Sequence, residues 1–246
     1  MEKEKDMRLA ENLHRIGNDI VACYLVVTDE GVTVVDAGLA GHYRELEAEL
    51  AGLGRTPADV RGVVLTHGDT DHLGFAERLR REHGTPVFVH GADAARARGE
   101  AKAHNSMGHA KIGATAGFLW YSARKGGLRT TYLSEVSEVA GGDVLDLPGA
   151  PRVMALPGHS PGSIAVHVPA VDAVFVGDGL TTRHVLTGRR GPAPAPFTDD
   201  PEQALASLDR LAEIDAKWVL PGHGTPWDGG VREAVRRVRE AGASLG

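Results

Sequence analysis

Four turns rich in His, Asp and Gly constrain this chain most: His67-Gly68-Asp69-Thr70-Asp71-His72, Pro157-Gly158-His159, Gly177-Asp178 and Pro221-Gly222-His223-Gly224. Each follows an apolar run, Gly62 to Thr66, Val153 to Leu156, Val171 to Val176 and Trp218 to Leu220, with the length and residue types of a buried strand. Strand ends gathered on one sheet edge bring distant side chains into one cleft, as a transition metal requires. Gly and Pro beside the histidines suit tight turns and close backbone approach. A single His after a strand is ordinarily a capping or surface residue; four such turns in series read as a metal site.

The intervening sequence reads as layered α/β structure. Ile20 to Val27 and Val32 to Val35 form strands joined by a hairpin turn at Thr28-Asp29-Glu30-Gly31. His42 to Leu53 places Leu46, Leu50 and Leu53 on one helical face before Gly54. Leu73 to His83 reads as a helix stopped by Gly84, and Pro86 to His90 as the next strand. The first motif therefore lies in a strand-to-helix turn, where the helix N-terminus favours carboxylates. Asp69 and Asp71 would also serve there as plain N-capping residues. Val144 to Leu147, Val153 to Leu156, Ile164 to Val168 and Val171 to Val176 are further strands, and helices over Pro201 to Ile214 and Val231 to Ala241 follow. Strands alternating with helices through short connectors signal packed layers.

Composition narrows the class. Because donors spread from His67 to His223 must converge, the 246 residues read as one domain, 1–246, without a linker. The Arg189 to Pro196 stretch (RRGPAPAP) reads as an irregular loop on the site's rim. Hydrophobic residues at 42% and charged residues at 24% describe a globular protein with a sizeable core. The net charge of −6 argues against nucleic acid or an anionic membrane as partner. The expected partner is a small-molecule substrate, with a homodimer as the other association to consider. The single cysteine, Cys23, lies in an apolar run and reads as a buried structural thiol. The opening MEKEKDMRLA contains no apolar segment of signal-peptide length, so a cytoplasmic location is expected.

The motifs resemble those of the metallo-β-lactamase fold superfamily, whose signature is His-x-His-x-Asp-His followed by single His, Asp and His positions. His67, Asp71 and His72 match the first element, His159 the second, Asp178 the bridging aspartate and His223 the last. The resemblance runs from the N-terminal hairpin to His223 and implies a four-layered αββα sandwich with a metal cleft at the edge between the sheets. By the family pattern, His67, Asp69 and His159 hold one divalent metal and Asp71, His72 and His223 a second, with Asp178 bridging. It further implies hydrolysis of an ester-like carbonyl (thioester, lactone or small ester) by a metal-bridging hydroxide, with Asp71 and Asp178 as the catalytic carboxylates. Glyoxalase II-like thioesterases and acyl-homoserine lactonases are the nearest analogies. An iron-dependent sulfur dioxygenase-like oxidoreductase and a non-catalytic ligand-binding protein are the alternatives.

Asp69 departs from the family pattern, which has His there. Zn²⁺ remains the first expectation for the two ions, while an added carboxylate oxygen favours the harder Mn²⁺ or Fe²⁺. The extra negative charge is expected to make the cluster less positive and to acidify its water less strongly.

Residues 99–131 resemble the rest of the chain least and read as a helical cap insertion, carrying Phe118, Leu119, Trp120 and Tyr121. Trp120 and Tyr121 are candidate substrate contacts, with core packing or a dimer interface as the alternative role. His104 and His109 lack strand-end placement and fall outside the metal set. After Asp178, His184 is a candidate contact to substrate or leaving group. Arg232, Arg236, Arg237 and Arg239 on the last helix read as a solvated face.

Overall fold

Alternation of side chains along the strands builds the architecture. The computed structural model describes residues 8–102 and 110–243; His104 and His109 lie outside them. β1 (Arg8–Ala10), β2 (Leu13–Gly17), β3 (Ala22–Thr28), β4 (Gly31–Val35), β5 (Val60–Val64), β6 (Val87–His90) and β7 (Ser137–Val139) form one seven-stranded sheet in chain order. Strands β1 to β4 pair antiparallel and β4 to β7 parallel. The second half supplies β8 (Arg152–Ala155), β9 (Ile164–Val168) and β10 (Ala173–Gly177), then a two-stranded ribbon of β11 (Thr181–Arg183) and β12 (Arg190–Ala193), then β13 (Trp218–Pro221). Its main sheet has the order β13-β10-β9-β8, with β10 and β13 parallel.

On β3 to β5, Cys23, Leu25, Val32, Val34 and Val63 pack with Leu46 and Leu50 of α1 (Tyr43–Gly52) and Ala76 and Leu79 of α2 (Ala76–His83). Their neighbours Tyr24, Val26, Val35 and Val64 point the other way and meet Ile164, Val166, Phe175 and Leu220 of the second sheet. Val174, Val176 and Val219 point away again. They pack with Leu208, Leu211 and the Val231, Ala234, Val235, Val238 stripe of α6 (Val231–Ala243), which follows α5 (Pro201–Ser207). The result is the four-layered αββα sandwich, held chiefly by apolar burial at about 1.5–3 kcal/mol per large side chain.

Several expectations shift locally. Val144 makes only an isolated bridge to Arg152, so Val144 to Leu147 is not a strand. The Arg189 to Pro196 stretch, expected as irregular, contains β12. The helix expected from Leu73 begins at Ala76, because Gly74 and Phe75 donate their backbone N–H groups to Gly38 and Ala37 instead of continuing a helix upstream. Short β1, β2, β7 and β11 lacked a period long enough to read. Cys23 is buried, and that burial pushes its thiol well above the usual range, as a structural role requires. The arginines of α6 lie on its outer face, where Arg236 and Arg237 pair with Glu233 and Arg239 pairs with Asp209. Such exposed pairs, screened by water, contribute little to stability. Among the described residues, no helix is long and apolar enough to cross a membrane.

Candidate metal centre

The four motif turns follow β5, β8, β10 and β13, so two sheets contribute to one cleft. Local packing explains each turn. Asp93, buried, accepts from the Gly68 N–H at 2.8 Å, from Ser160 Oγ at 2.7 Å and from the Gly162 N–H at 2.8 Å. One carboxylate thereby ties the first motif turn to the His159 turn. Asp36, held at a φ of 60°, accepts from the Thr66 N–H at 2.7 Å and from Thr66 Oγ1 at 2.9 Å.

The histidine hydrogen bonds fix which ring nitrogen faces the cleft. Thr66 Oγ1 donates to Asp36, so it accepts from His67 Nδ1 at 3.0 Å. His72 Nδ1 donates to Asp36 Oδ2 at 3.0 Å and His223 Nδ1 donates to the Ile20 carbonyl. Thr198 Oγ1 donates to Ala195 O, so it accepts from His159 Nδ1 at 3.3 Å. Each Nδ1 therefore carries its proton outward and each Nε2 is the nitrogen that faces inward, where a cation can take the place of a proton, the arrangement of metal-ligating histidines.

The inward atoms form two sets: His67, His159 and Asp178, and Asp71, His72 and His223, the donors within each lying within 4.8 Å of one another. Asp178 links them, with Oδ1 3.7 Å from His72 Nε2 and Oδ2 3.2 Å from His223 Nε2 and 3.8 Å from His159 Nε2. Asp69 Oδ2 lies 3.4 Å from His159 Nε2 and 3.7 Å from His67 Nε2. Metal–nitrogen bonds of about 2.0–2.1 Å in a tetrahedral site place donors about 3.3 Å apart, so these edges fit a shared ion. The Nε2 atoms of His67, His72 and His159 and Oδ1 of Asp178 are buried without hydrogen-bond partners. Buried polar atoms are rarely left so, and together they meet the requirement of a cation.

Electrostatics agree with this donor chemistry. Burial would raise Asp178, but His223, His72 and His159 hold its carboxyl well below the usual range. Burial would likewise raise Asp69, which His159, His67 and Arg96 hold low. His67 is pushed well down by burial and by its imidazole neighbours. Burial lowers His72, but Asp36, Asp71 and Asp178 outweigh it and push this histidine up to about 10. The cluster thus carries enough negative charge to draw in protons, or a metal in their place.

A cavity of about 470 Å³ opens onto these groups, lined among others by Asp69, Asp71, His159, Asp178, His223 and Arg96. Its far wall is apolar: Phe118 and Leu119 of α4 (Ile112–Arg124), Leu39, Leu128 and Phe197. The expected contacts are distributed otherwise. Trp120 does not line this cavity; it is 62% exposed and stacks under Arg124, because it occupies the outer face of α4. Tyr121 turns into the fold, packs with Val21 and Leu39, and bonds His42 Nε2 at 2.7 Å. His184 lines a second, apolar cavity of about 900 Å³, which among the described residues shares only Phe197 with the first. Sequence reasoning passed over Asp36, Asp93, Arg96 and Thr198. Only Asp36, in the Asp36-Ala37-Gly38 hairpin end, carried a local hint.

The Leu39–His42 turn beneath α4 carries a pH dependence. His42 Nδ1 accepts from the Leu39 N–H at 3.0 Å, so its Nε2 carries the proton donated to Tyr121. Protonating Nδ1 would break the Leu39 bond. Burial, with Lys125 adding and Glu45 opposing, pushes His42 down to about 4 from an ordinary 6.5. The folded pKa is depressed, so this contribution is complete above pH 6.5 and is lost as pH falls toward 4. Denaturant unfolding is expected to show a loss on the order of 2 kcal/mol by pH 4.5 that His42→Gln lacks; equal losses in both would remove His42 as the source.

The αββα sandwich and a donor cleft between its sheets define the metallo-β-lactamase fold. The chain belongs to the metallo-beta-lactamase superfamily, whose family model matches residues 16–223. It is 27% identical to the probable metallo-hydrolase YflN of Bacillus subtilis over 69% of this chain and 66% of that protein. A shorter match, 40% identical over 35% of this chain and 31% of the other, is to the hydroxyacylglutathione hydrolase of Ruegeria pomeroyi. Among solved structures, the fold is shared with the metallo-beta-lactamase family protein TTHA1429 of Thermus thermophilus (TM-score 0.71, 23% identity, 96% and 81% of the two chains). TTHA1623, solved in a di-iron-bound form, matches at TM-score 0.60 and 29% identity over 87% of this chain and 92% of that one.

Proposed function

We propose that the chain hydrolyses a small ester-like carbonyl compound (thioester, lactone or ester) at a dinuclear centre held by His67, Asp69, His159, Asp71, His72 and His223, with Asp178 shared between the halves. The observation that carries this reading is the set of buried, unpartnered atoms, Nε2 of His67, His72 and His159 and Oδ1 of Asp178, beside a cavity that His159 and Asp178 line together with Phe118 and Leu119. When bound, two divalent ions supply a nucleophile at neutral pH and polarise the acyl oxygen.

The chain's own residues do the positioning. Phe118, Leu119 and Leu128 line the same cavity as Asp71, His159 and Asp178 and receive the apolar part of the acyl group. Asp71, partly exposed at the cavity wall with Oδ2 3.5 Å from His223 Nε2, orients the attacking water and accepts its proton at a carboxylate oxygen. The outward Nδ1 hydrogen bonds keep the rings from turning, so little reorganisation accompanies the reaction. The name of the Ruegeria relative favours a thioester within this class, and the di-iron form of TTHA1623 keeps iron beside zinc as the metal.

Protein stripped with chelator and reloaded separately with Zn²⁺, Mn²⁺ or Fe²⁺ tests the proposal against an acyl-glutathione thioester, an acyl-homoserine lactone and p-nitrophenyl esters. The expected result is hydrolysis of at least one class, lost on stripping and restored by metal. Metal-loaded protein that turns over none of them would overturn it. Thiol-dependent oxygen uptake by the iron form would replace it with the oxidoreductase reading.

A further inference from the structure

We infer that Arg96 is the charge partner of Asp69, so that the two together stand where the family pattern has one neutral imidazole. This rests on the proposed metal centre. Arg96 is 7% exposed, on α3 (Ala94–Ala97). Its Nη1 lies 3.3 Å from Asp69 Oδ1, while Asp69 Oδ2 turns to the Nε2 atoms of His159 and His67 at 3.4 and 3.7 Å. The carboxylate is thus divided, one oxygen toward the guanidinium and the other toward the metal donors. Arg96 Nη2 contacts Asp199 Oδ2 at 2.8 Å, and the Asp199 N–H is bonded to the His159 carbonyl at 3.0 Å, which fixes the guanidinium plane.

The backbone brings this pair about. A Cβ on Gly68 would lie 2.9 Å from the Ala97 nitrogen and 3.0 Å from Arg96 Cβ, so the motif turn touches α3 because residue 68 lacks a side chain. Arg96 consequently emerges beside Asp69. A carboxylate in place of imidazole adds one negative charge at the cation site, and a buried arginine in contact with it offsets part of that charge, the guanidinium being shared with Asp199. Arg96 is accordingly a positioning residue acting through Asp69. Its contact keeps Asp69 Oδ2 aligned with the His159 and His67 donors, an effect that outweighs the repulsion between a guanidinium and a bound cation.

The test is a Zn²⁺ titration against a chromophoric chelator, with the Zn²⁺-dependent rise in Tm as second readout, on the parent, Arg96→Gln, Asp69→His and the double variant. Arg96→Gln is expected to weaken the first site about 10–100-fold in the parent and less than about threefold in the Asp69→His background. Arg96→Lys should recover most of the loss. Asp199→Asn, which leaves the guanidinium charge in place, should cost far less than Arg96→Gln. Equal Arg96→Gln losses in both backgrounds, or Asp199→Asn reproducing them, would assign Arg96 to loop architecture and overturn the inference. Unchanged Zn²⁺ binding in Arg96→Gln would also overturn it while leaving the metal centre intact, and a parent that binds no Zn²⁺ would overturn both readings.

Discussion

Asp178→Ala is expected to lower kcat/KM at least about a thousandfold and to reduce metal content by about one ion per chain. The basis is position: Asp178 is the carboxylate whose two oxygens reach donors of both sets, His72 on one side and His223 and His159 on the other. Removing a single fixed electrostatic group from an active site costs roughly a hundred- to a thousandfold, and in the proposed centre this residue would hold two ions in register as well. Asp178→Asn separates the parts of the effect. It keeps the shape and one oxygen acceptor but removes the charge, so it should retain more metal than Ala while remaining nearly inactive. Elemental analysis and steady-state kinetics on both variants decide the matter. Full turnover by metal-free Asp178→Ala would remove the dinuclear scheme altogether.

Gly222→Ala is expected to damage the centre nearly as severely without altering a donor. A Cβ there would lie 2.3 Å from His72 Cε1 and 2.9 Å from Asp178 Oδ1, so the ring or the carboxylate must move. The backbone cannot withdraw easily, because the Gly222 N–H donates to Gly177 O at 3.0 Å and its carbonyl accepts from the Ala22 N–H at 2.8 Å. The residue is pinned between both sheets. His72 is held from behind by Asp36, so its displacement breaks a buried hydrogen bond as well. A loss of metal affinity above about tenfold and a destabilisation of about 1–3 kcal/mol are expected, with far-UV circular dichroism unchanged. Chelator competition and denaturant unfolding measure the two effects. Parental affinity in this variant would mean that the cage tolerates movement of His72.

Both results depend on residues whose importance was only partly legible. The donors were readable because imidazole and carboxylate chemistry belongs to the residue itself, and strand ends are marked locally by Gly and Pro. His67, Asp71, His72, His159, Asp178 and His223 could be named from the turns they occupy and from their family resemblance. The long buried strands were readable too, since a period of two over Ile164 to Val168 survives in any context. The supporting residues gave no such signal. Asp93 joins Gly68 to Ser160 and Gly162 across 25, 67 and 69 residues of sequence, contacts that exist only once two sheets have packed.

Helix α4 illustrates the same limit. Its aromatics announced a functional or packing helix, but which side chain faces the candidate donors depends on the rotation of α4, and that rotation is set by the Tyr121 bond to His42 on another element. Phe118 and Leu119 consequently reach the cavity and Trp120 does not. His184 likewise follows the β11–β12 ribbon toward the second cavity.

By itself the sequence determined the candidate donors, their order, and the alternation that makes two sheets and two helical layers, because these depend on residue chemistry and on short-range periodicity. Tertiary structure alone decided which ring nitrogen faces the cleft, which cation faces Asp69 and which wall meets a substrate. Those depend chiefly on partners 27 to 203 residues apart in sequence, brought together only by the order in which the strands assemble.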